Sequence, residues 1–316
     1  MRHIDIGSTG VRLSSIILGG HEYLPDGRSR GFNEDLARAV EPGVVLPGFG
    51  DAHRLSVVQR AIVLGIDTFD VTMDSEKEAL ARNLRECDAH RSATVQTRPE
   101  GMLYGYDPQN RKLVQPGLLK QEVQRVLALM QRDALDILNI GILHTALEDP
   151  DYLEKLTTVI DELKKSGLIR AAAADSFSGA ATYLAMMKTG AFNSININFS
   201  FADDAALQDV IPYALAHDIR VVTRELFQKG ELFRAAREVG IEADMAARAA
   251  IRWVVSQPGV DAVIIGAQTP AQLDQNVAAS RLHPTTVDEQ TLARLLESPR
   301  LQALRAANRR RFIHPE

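Results

Sequence analysis

The chain is poor in several residue types, and each shortage narrows its function. It has one cysteine, Cys87, which leaves no partner for an intrachain disulfide and no multi-cysteine metal site. It has one Trp, six Tyr and ten Phe, few residues from which to build a stacking platform for bases. It has no basic surplus: 36 Lys and Arg face 41 Asp and Glu, a net charge of −5. A nucleic-acid binder usually carries the opposite balance, so that partner class is set aside. No apolar run approaches the roughly 20 residues needed to span a bilayer. The start, MRHIDIGSTG, has no long apolar stretch behind a basic patch and does not read as a signal peptide. The expectation is a cytoplasmic protein with a small-molecule substrate, no nucleic-acid partner and no membrane.

What is present is regular. Short β-branched runs alternate with longer amphipathic stretches. The runs are Ser15–Leu18, Asp67–Phe69, Thr94–Thr97, Asp136–Ile140, Ile169–Ala174, Ile195–Phe199, Ile219–Thr223 and Ala262–Ile265. Apolar runs without polar alternation suit strands buried on both faces of a parallel sheet. Helical spacing is expected over Leu55–Val63, Leu118–Met130, Asp151–Lys165, Ala205–His217, Ala243–Val255 and Pro270–Ala279, the last behind a Thr269 N-cap with Pro at N1. This pattern predicts a (β/α)8 TIM barrel, read as a single domain over 1–316, in preference to a doubly wound sheet. Arg2–Ile6 and Val11–Leu13, around Gly7 and Gly10, predict an N-terminal β-hairpin plugging the barrel floor. The tail predicts a C-terminal helix. The first strand–helix connection, at about 20–51, is far longer than the usual two to six residues and is expected to be functional.

Four segments carry a resemblance. IDIGSTGVRLSSIILGG, GIDTFDVT, ELKKSGLIR and RWVVSQPGVDAVIIGAQTPAQLDQN, in this order, together resemble the aldo-keto reductases. The resemblance implies NAD(P)-dependent carbonyl reduction: hydride from the nicotinamide and a proton from a Tyr tuned by an Asp–Lys pair, with a His orienting the substrate. At the matching positions this chain keeps Asp70 but has Ser75 for Tyr, Arg98 for Lys and Gly141 for His. Asp70 and Arg98 are expected to form a bidentate pair. The replacement proton donor is expected in Tyr23 or His21, with Tyr104 and Tyr106 as weaker candidates. For the cofactor, NADP or NAD, the resemblance points to Asp175, Ser176 and Asn196 at the nicotinamide amide and to Phe199 stacking on the ring. It points further to Gly266, Gln268, Thr269, Gln272 and Asn276 in the phosphate turn. No Lys or Arg lies between Gly266 and Asn276, which makes NADH plausible beside NADPH. Arg224 would add a cation at the end of strand seven. Arg28, Arg30, Arg98 and Arg224 around the mouth suggest a small polar, anionic carbonyl or alcohol. No metal site is expected: His21-Glu22-Tyr23 is not HExxH, and His144 near Glu148, Asp149 and Asp151 reads as a solvated helix start.

Two other readings stay open. The barrel works as a ligand-binding or regulatory protein or partner subunit without catalysis, or it carries a non-redox lyase or isomerase chemistry at the same mouth.

Overall fold

The computed structural model describes residues 1–23, 30–31, 36–103 and 106–314. A two-stranded antiparallel hairpin opens it, β1 (His3–Asp5) and β2 (Arg12–Ser14). Eight parallel strands then close into a barrel: β3 (Ile16–Gly19), β4 (Thr68–Asp70), β5 (Thr94–Thr97), β6 (Leu135–Ile142), β7 (Ile169–Ser176), β8 (Ser194–Asn198), β9 (Arg220–Arg224) and β10 (Ala262–Ile265). β10 pairs with both β9 and β3, which seals the ring. The structure is therefore the expected (β/α)8 barrel with its hairpin and a C-terminal helix.

Helices wrap the outside. They are α1 (Leu36–Ala39), α2 (Ala52–Val63), α3 (Asp74–Glu86), α4 (Pro116–Met130), α5 (Tyr152–Lys165), α6 (Gly179–Lys188), α7 (Val210–Ala216), α8 (Glu231–Glu238), α9 (Ala243–Val255), α10 (Pro270–Ser280), α11 (Thr286–Leu295) and α12 (Pro299–Ile313). The helix expected over Ala205–His217 is instead split into a 3-10 turn at Ala205–Leu207 and α7. Asp209 leaves helical geometry and caps α7, its side chain accepting from the Val210 amide at 2.7 Å. Pro212 has no amide hydrogen, so it fits only in a helix's first turn, and the helix must restart just before it. Within the long first connection, α1 is a single helical turn.

Strand alternation sorts the core into two. Leu138, Ile140, Ile142, Ala172 and Ala174 face the helices in the large outer core. Ile137, Ala171, Ala173, Val222 and Ala262 face inward and pack on Ile6, Val11 and Leu13 of the hairpin. The hairpin thus fills the barrel floor with apolar side chains. Going up the same inner faces, two residues at a time, the lining turns polar, and this sets out the candidate site.

Candidate active site

The upper inner face carries Asp70 from β4, Gln96 from β5 and Arg98 just after it, Asn139 and Gly141 from β6, Asp175 from β7, Asn196 and Asn198 from β8, and Arg224 from β9. It lies at the C-terminal ends of the strands, where barrel enzymes keep their chemistry. Two ion pairs cross it. Arg98 Nη2 stands 3.6 Å from Asp70 Oδ1. This contact is single and loose, not the bidentate fork expected; Asp70 Oδ1 also accepts from Gln96 Nε2 at 2.7 Å. The fork occurs instead at Arg224, whose two terminal nitrogens grip both oxygens of the buried Asp175. Arg224 Nε also donates to Asn198 Oδ1 at 2.8 Å, and its guanidinium lies 4.8 Å over the Phe177 ring. The Arg224 charge expected to face a ligand is thus matched within the protein.

His21 joins the Asp70 side. Gly20 makes this possible: a Cβ there would stand 2.7 Å from the Asp70 carbonyl oxygen and 2.8 Å from Val71 Cγ1. Only a glycine lets the end of the first barrel strand pass so close to the second. The next residue, His21, places Nδ1 2.7 Å from Glu76 Oε1. Glu76 is buried at the start of α3, and its other oxygen accepts from the Thr72 and Met73 amides at 3.0 and 3.3 Å. One carboxylate therefore caps a helix and orients a histidine. Burial alone would lower the His21 pKa, but the charge and hydrogen bond of Glu76, with Asp70 behind, outweigh it against Arg98, and the net direction is up. His21 is thereby biased toward the imidazolium near neutral pH.

Tyr23 lies elsewhere. Its hydroxyl is 3.1 Å from the point where a Cβ of Gly266, just after β10, would be, and burial pushes its pKa up. Ser75, at the position matching the family Tyr, is buried and accepts from the Leu46 amide at 2.9 Å, so it stitches the long first connection to α3. Tyr106 is exposed but within electrostatic reach of Glu100 and Arg98. Tyr104 and Arg28 lie outside the described residues. Arg30 is engaged within the long first connection: Nη1 donates to the Gly48 carbonyl at 2.9 Å, and its guanidinium lies over Phe49.

The cofactor candidates divide. Asn196 is fully buried, and neither atom of its carboxamide has a partner. Its donor and its acceptor are thus both left unmet in the barrel interior. Ser176 is engaged, donating to the Ile142 carbonyl and accepting from the Ser178 amide, both at 2.9 Å. Phe199 is fully buried and stacked on Trp253 at 5.4 Å, whereas Phe177, just after β7, is exposed. At the start of α10, Gln272 Oε1 accepts from the Gln268 and Thr269 amides, and Thr269 Oγ1 accepts from the Gln272 amide. This capping box occupies donors that a phosphate would need. Asn276 is buried further along α10.

Sequence reasoning missed Glu76 and a charged network beneath it. Lys77 is fully buried between Asp74 Oδ1 at 2.8 Å and Glu100 Oε2 at 3.1 Å. Arg125 bridges Asp74 and Glu122. The Asp74-x-x-Lys77 spacing was visible, but Glu100 comes from another element. His144 Nδ1 lies 3.3 Å from Ser178 Oγ, and Cys87 packs, half-buried, against the outer core. No helix among the described residues is long and apolar enough to cross a membrane.

Comparison with known proteins agrees with this architecture. Residues 48–296 match the aldo/keto reductase family. The chain is 22% identical to the NADH-specific methylglyoxal reductase of Escherichia coli (strain K12), over 94% of this chain and 99% of that one. Among solved structures it resembles a glycerol dehydrogenase from Gluconobacter oxydans, at TM-score 0.68 and 18% identity over 94% of this chain and 96% of the other. It also resembles the holo form of an aldo-keto reductase from Bacillus halodurans, at TM-score 0.64 and 16% identity over 93% and 96%. At such identities these two structures share the fold.

Proposed function

The chain belongs to the aldo/keto reductase family, and from that premise we propose that it is an NAD(P)-dependent oxidoreductase with a rebuilt proton donor, acting on a small polar carbonyl or the corresponding alcohol. The observation that carries this reading is His21, held by Glu76 beside the Asp70–Arg98 pair. A bound dinucleotide supplies the hydride. The chain's own task is then to give a proton to the carbonyl oxygen, and to take one back in the reverse direction. A carboxylate accepts only, so Glu76 keeps a proton on His21 Nδ1, and Nε2 is the atom that exchanges a proton with substrate. The raised pKa keeps that proton available near neutral pH. Tyr23, against Gly266, suits the wall of the cofactor site better than the acid's role.

Asn196 is the residue best fitted to hold the nicotinamide carboxamide, with its unmet donor and acceptor. The absence of Lys and Arg from 266–276, with Gln272 covering the Gln268 and Thr269 amides just ahead of α10, supports NADH over NADPH. The charge balance supports a neutral substrate over an anionic one, since Asp175 and Asp70 already offset Arg224 and Arg98.

The alternative reading is a barrel that binds a ligand without hydride chemistry. The internal satisfaction of Ser176, Asp175 and Thr269 favours it. Titration with NADH and NADPH, followed by nicotinamide fluorescence, separates the two. NADH binding below millimolar, tighter than NADPH, is expected, with turnover of small carbonyls abolished in His21→Gln. No binding at millimolar cofactor would sink the oxidoreductase reading, and full turnover in His21→Gln would remove His21 as the acid.

A further inference from the structure

The C-terminal helix crosses one edge of the barrel mouth on little apolar footing. Of the 15 residues of α12, only Leu301 and Asn308 are buried. Polar contacts supply much of its hold. Arg300 reaches Glu231 at 2.9 Å and Glu238 at 2.7 Å on α8. Arg305 pairs with Asp204, and Asn308 Nδ2 donates to Gln228 Oε1 at 3.0 Å and to the Ala202 carbonyl at 3.3 Å. Under the last turns of α12 lies a cavity of about 20 Å3, walled by Ser176 and Phe177 of the barrel and by Asn308, Arg311 and Phe312 of the helix. Asp203 opens into it and is only 6% exposed. Among the described residues its carboxyl group finds no hydrogen-bond partner, and the groups acting on it do so at a distance. Burial is the main one. Arg311 of α12 attracts, while Asp204 beside it and Glu225 just after β9 repel. The other nearby cations are spent: Arg305 on Asp204, and Arg224 on Asp175. The result is a proton held up to about 7, against an ordinary value of 3.8. Lifting α12 would uncover this carboxyl and return it toward that ordinary value. The proton is thus bound more tightly beneath the helix than away from it, so rising pH favours the lifted arrangement.

We propose that Asp203 makes α12 a pH-gated strap over the mouth: the helix lies down on the protonated carboxyl, and ionisation of Asp203 releases it and uncovers the edge formed by Ser176 and Phe177. The gating itself needs no hydride chemistry. Only its use, admitting and discharging the ligands of the mouth, rests on the oxidoreductase reading.

The test is amide hydrogen exchange by mass spectrometry on the full chain, without cofactor, at pH 5, 6, 7 and 8, with rates corrected for the intrinsic effect of pH. α12 is expected to exchange ahead of the core helix α9 at every pH. Its protection should fall by up to about a hundredfold from pH 5 to pH 8. Asp203→Asn, a permanently neutral mimic of the acid, should hold α12 protection level across the series; Asp203→Ser serves where the Asn variant fails to fold. Level protection in the wild type would overturn the proposal. An equal fall in the variant would assign the effect to another group and overturn it too, as would exchange of α12 only together with α9. Because no cofactor is present, the outcome stands whether or not the protein binds NADH, and the titration that decides the oxidoreductase reading remains separate.

Discussion

Replacing Glu100 by Gln removes one buried titrating group from the network beneath the mouth, and the structure gives its consequence a sign and a size. Burial is the main cause that raises the Glu100 pKa to about 7, with Asp74 adding to it; Lys77 and Arg98 pull the other way and do not prevail. In the unfolded chain the same carboxyl titrates near its ordinary value of 4.5. Between these values the folded protein binds more protons than the unfolded one. Its stability therefore falls as pH rises through that window. A shift of this size corresponds to about 3 kcal/mol across the window. Glu100→Gln stays neutral at every pH and should flatten this slope. At pH 5, where Glu100 is protonated in the fold, the two proteins should differ little. At pH 8 the variant should be the more stable, by up to about 3 kcal/mol less whatever Lys77 loses in its contact. Urea unfolding at pH 5, 6, 7 and 8, with m-values checked for constancy, measures this. Parallel stability curves for wild type and variant would refute the reasoning, since Glu100 would then titrate alike in both states.

Three further outcomes follow from other contacts. Because His21 is raised by Glu76 and Asp70, the proton it donates is lost as pH rises through its folded value, above the usual 6.5; Glu76→Gln should move that limb of the kcat/KM profile to lower pH, and an unmoved limb would assign it to another group. Gly179 has φ +78, and an added Cβ would stand 2.3 Å from the Phe312 carbonyl oxygen. Gly179→Ala should cost at least about 1–2 kcal/mol for the left-handed backbone alone and lift α12, read as a lower Tm and faster proteolysis of the C-terminal helix; unchanged proteolysis would show that α12 is not held there. Arg224→Leu leaves the buried Asp175 without its fork and should cost about 3–5 kcal/mol in urea unfolding, much of it recovered by adding Asp175→Asn; no recovery would mean that the loss lies in packing.

The eight strands were legible because each is a short apolar run buried on both faces, a property of local sequence. The hairpin was legible from its glycines, and the α10 cap from Thr269-Pro270. The split at Pro212 was written in the sequence too, as a missing amide hydrogen inside an expected helix. The site was legible only as a set of positions. Asp70, Arg98, Asp175 and Arg224 could be placed at the strand ends, but not their partners: the fork expected for Arg98 forms at Arg224, while Gln96 bonds the Asp70 oxygen. Phe199 shows the same limit. Its position suggested a stacking surface, and Trp253, 54 residues further along the chain, takes its face.

By itself the sequence determined the barrel, its closed floor and the ring of polar residues at its mouth, because periodicity and burial are read from neighbours along the chain. Tertiary structure decided which acid meets which base, that Glu76 holds His21 across 55 positions, and that Gln96 and Asn139 turn their oxygens inward unmet. Those outcomes depend on distances of a few ångströms between strands far apart in sequence. A hydrogen bond is won by whichever donor arrives at the right angle, and only the closed barrel sets that geometry.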